Sequence, residues 1–303
     1  MCIRDRIHRA LLMARHSILF SLFGAAVLIL AGCDELEDPV IPVTTNYLEA
    51  VYGPAPTFES LPQGDAVKRV LVEDFTAHQC GNCPAAAIIA EDMVANYEGK
   101  ISAMAIHAGN LANTDDGYFD TDWTTEEGDV FWDQLDFQAN PVGRINRING
   151  VGSFWAPAQW EEKAVEEMNL DPVIGLQYDF EWVPANGHLN LHLHGTFYDD
   201  VTGPIQVAWL ILESHIFDYQ LDYSADPEVV ADYEFNHVLR GSVHGALGIG
   251  FGDAAGGAAA GDVATQSATF TWNEAWMIEN ATVLAVVSDA NGYVLNVAEI
   301  HVD

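Results

Sequence analysis

The sequence predicts a two-part fold: a mixed α/β domain followed by an all-β sandwich. Three observations carry this. The run "KRVLVEDF" (68–75) holds Val70, Leu71 and Val72 in a row, reads as a buried strand, and leads through a Cys-x-x-Cys into an Ala/Ile-rich helical segment. After Asp171 the helical patterns stop. The stretch "HLNLHLHGTF" (188–197) then alternates strictly, with Leu189, Leu191 and Leu193 on one face and His188, Asn190, His192 and His194 on the other.

The elements follow in order. "MARHSILFSLFGAAVLILAGC" begins at Met13 with basic residues, passes through an apolar stretch too short to span a membrane, and ends Leu30-Ala31-Gly32-Cys33. That is a secretory signal over residues 1–32, with Met13 as the expected true start. Residues 33–66 carry acids and then Pro39, Pro42, Pro54, Pro56 and Pro62, which predicts an extended tether. Pro84 to Tyr97 reads as a helix with Ala85, Ile89, Met93 and Tyr97 on one stripe, ended by Gly99. "ISAMAIHAG" (101–109) is the next strand, followed by a polar excursion rich in Asp and Gly. "VFWDQLDF" forms a short helix. Asn140-Pro141 leads into another strand, and 157–170 is a helix with Trp160, Ala164, Val165 and Met168 inward and its acids outward.

The domain expected over 67–170 is therefore α/β, and that over 171–303 is all-β. In the second domain only 227–233 offers a possible helix. The Gly/Ala stretch 248–262 reads as a flexible loop, and Asn291-Gly292 marks a hairpin between the last two strands. Several strands with turn signals and one polar face predict an immunoglobulin-like sandwich.

Composition bounds the function. Half of the 303 residues are hydrophobic, enough for a sizeable core. The net charge is −34, from 45 acids against 11 Lys+Arg. Such a surface repels phosphate backbones and argues against nucleic-acid partners. It fits either general solubility or a salty medium that screens self-repulsion. No Gly-x-Ser-x-Gly, His-Glu-x-x-His or Walker pattern occurs, so hydrolase, zinc-protease and nucleotide-cofactor readings have no support, and no cofactor is expected.

Of the four cysteines, Cys2 precedes the expected cut and Cys33 stands at it. Cys80 and Cys83 remain as one pair in an exported chain, where disulfides persist. A crosslink closing so short a loop removes little chain entropy, so general stabilisation explains it poorly. Placed between strand and helix, a cysteine faces unpaired N–H groups and the positive end of the dipole, which lowers its pKa. Cys80 is then the attacking sulfur and Cys83 the resolving one. Two rivals stay open: a metal site completed by His78 and His107, and a disulfide kept as an inert clasp. His192 with His194 is a further metal candidate set against a solvated strand face. Asp115, Asp116, Asp120 and Asp122 are calcium candidates without EF-hand spacing. Trp272 and Trp276 read as core or loop anchors before a sugar platform.

Several motifs also resemble known families. Leu30-Ala31-Gly32-Cys33 looks like a bacterial lipobox, which implies lipidation of Cys33 and a membrane held through that lipid. The order strand, Cys-x-x-Cys, helix, strand, Pro, strand, helix resembles the thioredoxin fold. That resemblance implies a proton-shuttling carboxylate at Asp74 and a cis-proline at Pro141 facing the disulfide. Gln79, Gly81-Asn82 and Pro84 depart from the usual thioredoxin motif, so the fold is implied more firmly than the reducing potential. The lipobox, "EDFTAHQCGNCPAAA", "IHAGN" (106–110), "NPVGRINR" (140–147) and "YEFNHVLRG" (233–241) together resemble the family of Gram-negative lipoproteins related to the 28-kDa outer membrane protein. This implies an outer-membrane lipoprotein with an α/β thioredoxin-like domain followed by an all-β, immunoglobulin-like sandwich. The expected activity is thiol–disulfide exchange with thiol- or disulfide-bearing envelope proteins. The adhesion or receptor roles suggested for that family supply the alternative, a ligand-binding lipoprotein with an inert disulfide.

Overall fold

The computed structural model describes residues 46–302. The signal segment, the lipidation candidate Cys33 and the first part of the tether lie outside them. In chain order come helix α1 (Glu49–Tyr52), strand β1 (Val70–Thr76), helix α2 (Cys83–Asn96), β2 (Ile101–His107), α3 (Glu126–Asp133), β3 (Val142–Ile145) and α4 (Trp160–Met168). Then strands dominate: β4 (Ile174–Val183), β5 (His188–Phe197), β6 (Val201–Thr202), β7 (Gln206–Glu213), β8 (Ile216–Leu221), β9 (Val229–Phe235) and β10 (Val238–Ser242). The chain ends with β11 (Ile249–Gly250), β12 (Gly257–Ala258), β13 (Val263–Thr271), β14 (Ala281–Ser288) and β15 (Val294–His301). The architecture is mixed α/β with mostly sheet in the C-terminal part.

One central sheet has the order β15-β14-β7-β10-β2-β1-β3, with β11 also on β7. β1 and β2 are parallel from Val70↔Ile101 to Thr76↔His107. β3 returns antiparallel to β1, with Phe75 opposite Val142. The seam between the two halves is β10, which pairs parallel to β2 at Val238↔Ala105 and antiparallel to β7. The sheet therefore runs through the boundary expected near residue 170.

Both faces of this sheet are covered, which is why β1 reads as a continuous apolar run. Val70 and Val72 point to α2 and α4, where they meet Ala86, Ala90, Met93, Trp160 and Ala164. Leu71 and Phe75 point the other way, to Phe131 of α3 and on to Leu210, Leu212, Leu284 and Val286. In β7 the alternate residues Val207, Trp209 and Ile211 face a third core with Leu189, Leu191 and Leu193 of β5. That core joins the central sheet to a second sheet, β13-β5-β4. Each of the three leucines is fully buried, a contribution of about 1.5–3 kcal/mol apiece.

Several sequence expectations need correction. In α2 the buried stripe is Cys83, Pro84, Ala86, Ala90 and Met93, and Ala85 is exposed. The segment is so rich in alanine that several faces look alike from sequence. The short helix near "VFWDQLDF" starts a turn earlier, where Thr125 Oγ1 accepts from Gly128 N at 2.9 Å and Glu126, Glu127 and Asp129 favour the dipole. Residues 227–233 are not helical, because 229–235 pair with β8. In α4 one acid turns inward: Glu167 accepts from Asn146 Nδ2 and from Tyr293 OH. The 248–262 stretch is not simply a loop, since it contains β11 and β12 and buries Phe251 and Ala254 in the core.

The histidine face of β5 is not solvated. Asn190, His192 and His194 are buried, because residues of the expected tether lie over them. The Tyr47 ring meets His192 edge-on at 4.7 Å, Phe58 stacks on His194 at 5.4 Å, and Tyr52 OH hydrogen-bonds His188 Nδ1 at 2.7 Å. Thr269 Oγ1 and Thr196 Oγ1 accept from the backbone N–H groups of Leu48 and Leu61. From Asn46 on, aromatic side chains thus pin the segment to the sheet.

Candidate redox site

β1 ends at Thr76, and the chain turns through Ala77–Asn82 into α2. Within the turn, Cys80 N donates to Ala77 O and Cys83 N to Cys80 O. Cys80 and Cys83 are joined as a disulfide with 5.4 Å between their Cα atoms. Cys83 is the first residue of α2 and Pro84 follows it, a position where the missing N–H costs nothing. Among the described residues no side chain caps this helix end, so its positive pole stays directed at the pair.

Asp74 lies on β1 beneath this turn. It is 3% exposed, and its Oδ1 has no hydrogen-bond partner among the described residues. Burial pushes its carboxyl up to about 8. Asp74, Cys83, Pro84, His107 and Tyr233 line one cavity of about 30 Å³, enough for a water molecule. His107 is also buried, with both ring nitrogens unpartnered among the described residues, and burial, then His78 and Arg240, push it down to about 3. Near neutral pH the pocket thus holds a protonated carboxyl and a neutral imidazole. A carboxyl in that state can exchange a proton with a sulfur leaving or attacking at Cys83.

The Asn140–Pro141 peptide is cis. It opens β3, and Asn140 Nδ2 ties it to Thr76 O at 3.0 Å and Ala108 O at 3.4 Å, at the ends of β1 and β2. Pro141 therefore sits at the same end of the sheet as the cysteine turn. Just beyond it, Gly143 forms an antiparallel bridge with Trp155.

The metal candidates do not converge among the described residues, where no cluster of three or more His, Cys, Asp or Glu could hold an ion. His78 and His107 have ring centroids 6.4 Å apart, and His78 Nε2 engages Asn113 O. His192 Nδ1 is taken up by Ser267 Oγ. Asp115 Oδ1 accepts from Gly117 N and Phe119 N, and Asp122 Oδ1 from Thr124 N, so both hold their own loop. Trp272 and Trp276 pack edge-to-face at 5.7 Å, joined by a bond from Trp272 Nε1 to Trp276 O.

Two features escaped the sequence reading. Glu73, beside Asp74, is fully buried between Arg144 and Arg147. Burial alone would raise its carboxyl, but the two guanidinium groups overcome that and hold it below the usual range. The paired arginines in "GRINR" were the available signal. The second feature is the β8–β9 hairpin, which covers the cysteine turn and leaves Cys80 and Cys83 only 3% and 1% exposed. No local signal in 214–237 points to that contact.

A family model for the outer membrane protein Omp28 matches residues 129–303, more than half of the chain. The chain belongs to the Omp28 outer membrane protein family. The Omp28 match contains Pro141, "NPVGRINR" and "YEFNHVLRG". It begins after Asp74, Cys80 and Cys83, so family membership says nothing of the disulfide. Among solved structures, HBP35 of Porphyromonas gingivalis is similar in fold, with a TM-score of 0.60 at 16% identity over 78% of this chain and 76% of that one. A structural-genomics protein from Agrobacterium tumefaciens aligns with a TM-score of 0.49 at 12% identity, over 78% of this chain and 96% of that one. No curated protein matches the chain.

Proposed function

We propose that this Omp28 family member is an outer-membrane lipoprotein, anchored through lipid on Cys33, whose Cys80–Cys83 pair exchanges disulfides with envelope proteins. The parts would be a thioredoxin-like domain over 67–170 and an immunoglobulin-like sandwich over 171–303. The observation that carries the reading is the shared pocket: a disulfide at the start of α2 with the protonated Asp74 carboxyl in the cavity that Cys83 lines. A partner thiolate attacks Cys80 Sγ, the Cys80–Cys83 bond breaks, and a mixed disulfide forms. Cys83 leaves as a thiolate and takes the proton from Asp74. A second partner thiol then attacks the partner's sulfur in the mixed disulfide and releases Cys80, leaving the partner oxidised and the pair reduced. Pro141 shapes the groove in which the partner lies.

A second reading has its own support. Both cysteines are almost wholly buried, which suits an adhesion or ligand-binding lipoprotein with an inert disulfide. The reduction potential of soluble protein starting after Cys33 separates the two. A glutathione titration read by thiol alkylation should give a value between roughly −120 and −270 mV for an exchanging pair. A value below about −300 mV would mark a resistant structural disulfide and move attention to the sandwich.

A further inference from the structure

The β8–β9 hairpin lies over the cysteine turn and, among the described residues, pairs with no other strand, forming a two-stranded sheet by itself. Such a hairpin has little stability of its own and is held by what it rests on. Near its base, Phe235 and Ile216 pack with Trp123 and Val238, and Tyr219 meets the Tyr118 ring at 5.0 Å; toward its tip it rests on the main chain of the disulfide loop. Leu221 N donates to His78 O at 2.8 Å, and Tyr223 N donates to Gly81 O at 2.9 Å. Just before them, the buried Gln220 sends its Nε2 to Ala77 O at 3.3 Å and Cys80 O at 3.2 Å. The Tyr223 ring lies flat on Gly81, so close that a β-carbon there would stand 2.5 Å from it. At the base, His215 and His237 flank the hairpin with φ of 57° and 56°, left-handed backbone that non-glycine residues seldom adopt. The base is latched by His215 N to Asn236 Oδ1 and His237 N to Ser214 Oγ, both at 3.0 Å.

We propose that the β8–β9 hairpin is a strap that closes the disulfide, and that it lifts about its base at His215 and His237 before any thiol reaches Cys80. The carbonyls it occupies, His78 O and Gly81 O, are then freed for an extended segment of a partner polypeptide, which takes the place of Leu221–Tyr223. Closure itself concerns access to the sulfur and holds for any attacking thiol. Its use in recognition rests on the exchange reading above.

The test is the rate of reduction of the pair by dithiothreitol in the soluble protein starting after Cys33, quenched by alkylation and read by mass. One dithiothreitol thiolate attacks Cys80 Sγ and displaces Cys83. The second thiol of the same molecule releases Cys80 and leaves the reagent as its cyclic disulfide. When opening is fast and local, the rate follows the open population. Gln220→Ala and Tyr223→Ala should each reduce about tenfold faster than the parent, as expected for loss of one or two strap contacts. Their equilibrium oxidised fraction in a fixed glutathione buffer should stay unchanged, as a strap that closes both redox forms alike requires. In the parent, sub-denaturing urea should raise the rate only weakly, with a slope well below that of global unfolding. Rates in both variants within twofold of the parent would overturn the strap. So would a parent rate whose urea slope equals that of global unfolding, a measurement that stands even if a variant fails to fold. A very low reduction potential would sink the exchange reading and leave the closure result intact.

Discussion

Asp74 gives the sharpest quantitative expectation. Its carboxyl is pushed up to about 8 by burial, against an ordinary 3.8. In the unfolded chain the group ionises near the ordinary value, while in the folded chain it keeps its proton to about 8. Between those limits the unfolded state binds fewer protons, so stability falls as pH rises. The loss is absent below about pH 4, grows by about 1.4 kcal/mol per pH unit, and levels off above about pH 8. At pH 7 it amounts to about 4 kcal/mol, a large share of a typical domain's 5–15 kcal/mol. Asp74→Asn keeps the shape of the protonated carboxyl and cannot ionise. The variant should match the parent near pH 4 and exceed it by about 3–5 kcal/mol at pH 7. Urea unfolding of the oxidised protein at pH 4.5, 6 and 7.5 measures the difference directly. A gap between variant and parent constant within about 1 kcal/mol across that range would refute the burial argument.

Two further expectations concern the frame around the site. Glu73→Gln removes the counter-charge of Arg144 and Arg147, which are 0% and 4% exposed, and should cost about 3–5 kcal/mol in chemical denaturation; a loss under about 1 kcal/mol would show the triad to be solvated. Gly143→Ala places a β-carbon 2.5 Å from the fully buried Trp160 ring, and should lower stability by about 1–3 kcal/mol in a thermal melt; an unchanged midpoint would mean the ring moves aside freely.

The sequence by itself determined what depends on near neighbours. The Val70-Leu71-Val72 run, the strict alternation of 188–197, the Cys-x-x-Cys at a helix start and the Asn291-Gly292 turn are each written within a few residues, and each element stands where its pattern placed it. The tertiary structure alone decided what depends on distant partners. Val238 completes the seam to β2 from far along the chain. Tyr47 and Phe58 bury a histidine face that alternation alone marks as solvated. Gln220 reaches back to Cys80 and turns an apparently open redox turn into a covered one. Asp74 carries a raised pKa because segments distant in sequence bury it. Periodicity is a property of the backbone and is readable from one segment, whereas burial is a property of whichever other segment arrives.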